Sequence, residues 1–177
     1  MGYEYLITGL PEIHAGDAAP MSMEALETLL DEQLLDKDKE QLRLLQTHAR
    51  QGACAFVLDW LAFNRDLNNV LTAEVCRKHG LNPAKFVIGE LPDFVEPEVT
   101  SASKIEDLYA RELKIDALRF AWLEERTRMV TFSLENVLAY YLMNQMLNRW
   151  AVLNAEKGEA VFRELVKDMK KGVKLDA

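Results

Sequence analysis

The segment from Ser133 to about Leu153 constrains the fold more than any other part of the sequence. At helical spacing it carries apolar residues on two nearly opposite faces: Leu134, Val137, Leu138 and Tyr141 on one, and Met143, Met146, Leu147 and Trp150 on the other. Such a helix is either the central helix of a bundle or a helix with one face left for a partner. We favour the central position.

Helical periodicity also covers most of the remaining chain. Residues 3–10 fit either a strand by alternation or the start of a helix by propensity. Ser103-Lys104-Ile105-Glu106 has the pattern of a capping box that opens a long helix. Expected helices, with approximate ends, cover residues 22–33, 36–52, 54–79, 103–128, 133–153 and the residues from 154 onward. The pattern therefore predicts an all-α fold, a multi-helix bundle of about six helices.

Length and composition indicate one domain. The chain has 177 residues, of which 49% are hydrophobic, and this is enough for one core. The segment 91–102 begins as a proline-containing acidic connector, and it is the one place where a hinge is expected. We therefore expect a single helical domain over residues 1–177 with a candidate hinge at 91–102.

The negative charge is concentrated near the start of the chain. Net charge is −8; residues 1–40 contain ten Asp or Glu against two Lys, whereas residues 41–177 contain nineteen acidic and nineteen basic residues. A chain without a basic stripe is not expected to bind nucleic acid or anionic lipid directly. The acidic segment is either a solvated helix face or a surface that attracts a basic partner protein.

The sequence shows no pattern typical of an active site, a cofactor site or a metal site. His14, His48 and His79 lack the Glu-x-x-His spacing of di-iron bundles, and Cys76-x-x-His79 has no second pair of ligands. Glycine-rich nucleotide-binding loops and the Gly-x-Ser-x-Gly turn are missing too. We therefore expect no enzyme activity and no cofactor.

Three charged residues lie inside an apolar stripe. Glu112, Asp116 and Arg119 occupy the arc of the 103–128 helix that should be buried. Three interpretations are open. The residues form a row of ion pairs on the solvent-exposed surface of the helix, a buried network that fixes helix register, or a carboxylate pair for acid–base catalysis. We favour the buried network, because an adjacent arginine keeps carboxylates ionised. Asn144, Gln145 and Asn148 are expected to face this line.

The lengths of the apolar runs and the positions of the cysteines indicate the cellular location of the protein. No apolar run reaches the roughly 18–20 residues that cross a bilayer, and the first residues lack the pattern of a secretory signal. Cys54 and Cys76 both lie within apolar helical patterns, as is typical of a reducing compartment. We expect a cytoplasmic protein without direct membrane insertion.

Several segments resemble a known family. Tyr3-Glu4-Tyr5-Leu6-Ile7 through Leu10-Pro11-Glu12, and Phe132 through Tyr141 with Asn148-Arg149-Trp150 and Glu156-Lys157-Gly158, resemble a bacterial family of unknown function found alongside V/A-type ATPase subunits. Asp66-Leu67-Asn68-Asn69-Val70-Leu71 and the Tyr-x-Tyr-Leu start are similar to the C-type (d-type) subunit of these ATPases. This second resemblance implies a helical fold like that of the C-type subunit, which couples rotor and stalk without catalysis or cofactor.

The resemblance implies a non-catalytic subunit or assembly factor of a V/A-type ATPase. Its partners would be other protein subunits of the stalk or rotor, and the protein would be cytoplasmic and peripheral to the membrane complex. The alternatives are a free-standing cytoplasmic adaptor unrelated to any ATPase and an enzyme that uses Glu112 and Asp116. The candidate partner surface comprises Glu24, Glu27, Asp31, Glu32, Met143, Met146 and Trp150.

Overall fold

The fold is known from a computed structural model, which describes residues 2–92 and 97–152. These ranges contain seven α-helices and a single 3-10 turn (Pro83–Lys85), and they contain no strand. The helices are α1 (Glu4–Gly9), α2 (Met23–Gln33), α3 (Asp36–Gln46), α4 (Ala55–Lys78), α5 (Pro97–Ser103), α6 (Leu108–Thr127) and α7 (Leu134–Val152). The all-helical prediction is confirmed for these residues, and the helix expected from residue 154 lies outside them.

Local signals place several helix ends where the sequence predicts them. The Ser22 hydroxyl accepts the backbone N–H of Ala25 at 3.2 Å and caps α2. Gly80 has a φ of 66°, a left-handed conformation that glycine adopts without strain, just beyond the last residues of α4. Helices α2 and α4 therefore begin and end within one or two residues of the predicted positions.

The N-terminal residues form a helix rather than a strand. Leu6 of α1 is buried in the main core, and the backbone N–H of Tyr3 donates to the Phe132 carbonyl at 2.7 Å. The Tyr3 hydroxyl donates to the carboxylate of Asp38 at the start of α3. A helix of six residues is marginal alone, so these tertiary contacts hold α1 in place.

The predicted capping box at Ser103 is wrong. Ser103 is the last residue of α5, and its hydroxyl donates to the Thr100 carbonyl at 2.7 Å. Asp107 caps α6 instead, because its carboxylate accepts the Ala110 N–H at 2.7 Å. The helix expected from residue 103 therefore begins only at Leu108, and the separate short helix α5 precedes it.

Buried apolar residues form two clusters, which α4 and α6 both span. The larger cluster gathers α1, α2, α3 and most of the buried face of α7 around the first half of α4 and the second half of α6. The smaller consists of Leu67, Val70, Val99, Ala102 and Ile115. Stacked aromatic rings of Phe63 and Trp122, with centroids 5.1 Å apart, join α4 to α6 where the clusters meet.

The second half of the predicted hinge is packed. Residues 97–102 belong to α5, which lies against α4 and α6 and buries Val99 and Ala102 in the smaller cluster. Residues 93–96 of the connector lie outside the described residues. The second half of segment 91–102 is therefore part of the helical packing.

We predict that Tyr3→Phe destabilises the protein in a pH-dependent way. Burial, followed by the hydrogen bond to Asp38, raises the pKa of Tyr3 to about 12 from its ordinary value of 10.0. Only the protonated hydroxyl donates, so its contribution is complete below pH 10 and is lost as pH rises towards 12. Urea unfolding should show a loss of about 1 kcal/mol at pH 8, and this loss should shrink above pH 10.

Tyr5→Phe is the matched control. The Tyr5 side chain is 94% exposed, so its replacement should leave the unfolding free energy unchanged at every pH. A Tyr3→Phe loss that stays constant from pH 8 to pH 11 would contradict the assigned role of the Tyr3 hydroxyl.

Candidate functional site

Asp116 of α6 is the centre of a buried ion network. Asp116 is only 4% exposed to solvent. One carboxylate oxygen accepts from Arg119 Nη1 at 2.7 Å, and the other accepts from Arg149 Nη2 at 2.5 Å and from Trp150 Nε1 at 2.7 Å. Charge-assisted bonds of this kind are among the stronger polar contacts in proteins. The bonds from Arg149 and Trp150 join α6 to the C-terminal end of α7.

Arg119 extends the network to a third helix. Its side chain is 16% exposed, and its Nε donates to the Asn64 side-chain oxygen of α4 at 3.0 Å. Asn64 in turn donates to the Trp60 carbonyl at 3.1 Å, which fixes the orientation of its amide. Helices α4, α6 and α7 are therefore joined at one polar point between their apolar faces.

Glu112 lies at the edge of this network rather than within it. Its side chain is about one third exposed, and its nearest described cation is Arg149, at 3.9 Å. The geometry thus brings together Asp116 and Arg119 of the three predicted residues, whereas Glu112 makes only this long contact. Both Asp116 oxygens already hold donors, so neither is positioned to take a proton from a substrate, and the arrangement suits a structural role.

The sequence did not identify the true partners of Asp116. Asn144, Gln145 and Asn148 were expected to meet the charged line, but Gln145 is exposed and the two asparagines face α2 and the residues before it. The side-chain nitrogen of Asn148 donates to the Met21 carbonyl at 2.9 Å, and that of Asn144 lies 3.5 Å from the Met23 sulfur. Arg149, which follows directly on Asn148, was a visible candidate because it is a cation on the same helix.

The predicted partner surface divides into buried and exposed parts. Met143 and Met146 are only 9% and 8% exposed, and both belong to the main core. They do not form a surface, because the N-terminal residues and other helices cover both apolar faces of α7. Trp150 is partly buried and donates its indole N–H to Asp116.

The acidic residues of α2 are all exposed, and two of them already have partners. Glu27 accepts from the Tyr141 hydroxyl at 2.9 Å, and Asp31 lies 3.1 Å from Lys39. Glu24 and Glu32 form no side-chain hydrogen bond or ion pair with any described residue, and they line a shallow groove along α2. This outer face of α2 is a charged surface that the described part of the fold leaves open.

A groove open to solvent lies between the N-terminal segment and α7. Its volume is about 350 Å³, and Ile7, Leu10 and Ile13 face Ala139 and Met143 across it. The Tyr140 side chain contributes to the α7 side of this groove, whereas its hydroxyl is buried and has no hydrogen-bond partner among the described residues. Burial raises the pKa of Tyr140, so its hydroxyl stays protonated.

Neither a metal cluster nor a membrane-spanning helix is found in the described part of the chain. Across residues 2–92 and 97–152, no three His, Cys, Asp or Glu side chains gather where they could hold a metal ion. Cys76 is buried, and His79 is the exposed C-cap residue of α4. No helix in these ranges is both long and apolar enough to cross a bilayer.

Fold and site together define an all-helical protein with a buried structural ion network and an open acidic face. The chain belongs to the DUF2764 family, described as proteins of unknown function; its family model matches residues 46–93 and 89–173. Comparison with curated proteins and with solved structures gave no match.

We predict that Asp116→Ala costs about 3–5 kcal/mol of unfolding free energy. The substitution leaves the mostly buried Arg119 guanidinium without its carboxylate and the Trp150 indole N–H without an acceptor. The matched control is Asp59→Ala, which removes a half-exposed carboxylate 3.3 Å from Arg126 and should cost about 0–1 kcal/mol. Urea unfolding measures both, and equal losses in the two variants would show that the Asp116 network is no stronger than a surface pair.

Proposed function

We propose that this protein is a non-catalytic helical subunit or assembly factor of a V/A-type ATPase, and that it binds a basic surface of a stalk or rotor component. The observation that carries the proposal is the outer face of α2. Leu26 and Leu30 on its inner face are completely buried, while Glu24 and Glu32 project from its other side. A helix anchored so firmly presents its charges in a fixed arrangement, which lowers the entropy cost of binding.

Electrostatics favours a basic partner. The whole net charge of −8 arises in residues 1–40, and α2 lies within them. Concentrated charge of one sign accelerates the encounter with a surface of opposite sign and disfavours acidic partners. Neighbouring Glu27 and Asp31, although they have partners in the fold, add to the negative potential of the same helix.

The ATPase assignment rests on the sequence resemblance. The N-terminal Tyr-x-Tyr-Leu segment and Asp66 to Asn69 are similar to the rotor-coupling C-type subunit, and the C-terminal segments resemble a family found beside V/A-type ATPase subunits. A protein with this role works by contact alone and needs no cofactor. It would be located on the cytoplasmic side, peripheral to the membrane complex.

The first test is recovery of the partner. A tagged protein, purified from gently solubilised membranes of its native cell, should retain ATPase stalk or rotor subunits and release them as salt concentration rises, because screening weakens charge-steered contacts. Recovery of other basic proteins without any ATPase subunit would instead support the free-standing adaptor.

A charge-reversal variant tests the surface itself. Glu24→Lys combined with Glu32→Lys should slow association with the recovered partner by about tenfold and reduce its salt dependence, with a smaller effect on dissociation. The matched control reverses two exposed acids outside the N-terminal region, Glu106 and Glu124, with the same change in net charge. Equal slowing in both double variants would mean that net charge, and not the α2 face, governs binding.

A further inference from the structure

Helix α6 carries a row of exposed apolar side chains beside the end of α7. Tyr109, Leu113 and Ala117 recur every four residues, so they lie on one side of the helix. Tyr109 is 60% exposed and Leu113 is 38% exposed, although both are large apolar residues. Single exposed apolar residues are ordinary, whereas a row of them on one helix side indicates a contact surface.

The row forms part of a partly enclosed groove of about 290 Å³ between α6 and α7. Leu147 and Trp150 line the groove from α7, and residues 15–17 line it as well. The rings of Tyr109 and Trp150 meet edge to face with centroids 5.2 Å apart, and the Trp150 indole N–H donates to Asp116 at 2.7 Å. The ion network therefore holds one wall of this mainly apolar groove in position.

The chain leaves the described structure beside this groove. Helix α7 ends at Val152, two residues after Trp150, and Val152 is 70% exposed. Residues 153–177 follow it in the sequence. The match to the family model runs to residue 173, so most of these residues belong to the same family region as α6 and α7.

Residues 161–174, hereafter the C-terminal segment, have the sequence pattern of an amphipathic helix. At the helical period, the side chains of its apolar residues share one arc of about 140°, and all of its charged residues fall outside that arc. Such a pattern predicts a helix with one face that needs a partner. The apolar residues are Val161, Phe162, Leu165, Val166, Met169 and Val173.

The charges of the segment and of the groove are complementary. The C-terminal segment contains five Lys or Arg against two Asp or Glu, so it is basic. Asp17 lines the groove, and the exposed Glu106 lies just before α6. Arg111 and Lys114, the basic residues of this part of α6, do not line the groove. Opposite charges favour the contact and help to set its orientation.

The connecting residues are long enough for the segment to reach the groove. Residues 153–160 separate Val152 from Val161, and eight residues span up to roughly 26–29 Å when extended. The row from Tyr109 to Ala117 is only about 12 Å long. The connection therefore lets the C-terminal segment lie along the whole row.

We propose that the C-terminal segment docks in the groove between α6 and α7 of its own chain, with its apolar face on the row of Tyr109, Leu113 and Ala117. This contact covers two apolar surfaces, one on the helix bundle and one on the segment. The groove is separate from the acidic face of α2, so the docking stands or falls independently of the ATPase proposal.

Hydrogen exchange of the full chain, measured by mass spectrometry, tests this docking. Amides of residues 161–174 should be protected, and Leu113→Asp, which places a charge in the groove, should raise their exchange rates by at least about tenfold. Leu108→Asp is the matched control, because Leu108 is 61% exposed on the same helix but does not line the groove. It should leave these rates unchanged, and exchange in α4 and α7 should stay as in the wild-type protein in both variants.

A reciprocal variant tests the contact from the side of the segment. Leu165→Asp should shift the NMR signal of the Trp150 indole N–H, as Leu113→Asp should, whereas Lys167→Gln, on the charged face of the segment, should leave it in place. Fast exchange throughout residues 161–174 of the wild-type protein, or protection that survives Leu113→Asp, would overturn the proposal. Protection that falls on dilution would overturn it too, because the segment would then dock on a second copy.

Discussion

Burial of α7 on both of its apolar faces is the constraint on which the rest of the structure depends. Val137 and Leu138 have essentially no exposed surface, and Met143 and Met146 on the other face are nearly as well buried. One helix cannot cover two opposite faces, so the chain surrounds α7 with α2, α6 and the N-terminal segment. The short helix α1 adds Leu6 to the same core, and this burial helps to hold it in place.

Polar side chains fix the register of this apolar packing. Hydrophobic contact tolerates small slides between helices, whereas a buried carboxylate must meet its donors at hydrogen-bond distance. Asp116 imposes that requirement on α6 and α7. Amide side chains do the same for the connections: Gln41 binds the N–H of Cys54 at 2.7 Å, and Asn69 binds both the N–H and the carbonyl of Ile88 at 2.9 Å. Each of these side-chain amides fixes the position of a connecting segment relative to a helix through directional hydrogen bonds.

Sequence patterns predicted what is local and missed what depends on distant neighbours. Periodicity and the Ser22 cap located α2, because a helix cap acts within one turn. Two capping signals compete near the start of α6, and the packing of α5 against α4 and α6 selects Asp107, which no local rule could reveal. The charged stripe on α6 was visible, but its main partner Arg149 lies 33 residues away, and pairing over that distance requires the fold. The same reason explains why Met146 was predicted to lie on a partner surface. The apolar character of its helix face was evident from the sequence, but the packing that buries this face was not.

The fold presents an exposed acidic face on α2, and we propose that this face contacts an ATPase component in the cell. The most direct measurement is site-specific photo-crosslinking, with p-benzoylphenylalanine in place of Thr28, which lies in the groove with Glu24 and Glu32. The same group in place of the exposed Ala121 of α6 is the control. We expect mass spectrometry of the irradiated native cells to find a stalk or rotor component attached at position 28 and not at position 121. An adduct with an unrelated protein at position 28, or the same adducts at both positions, would contradict it.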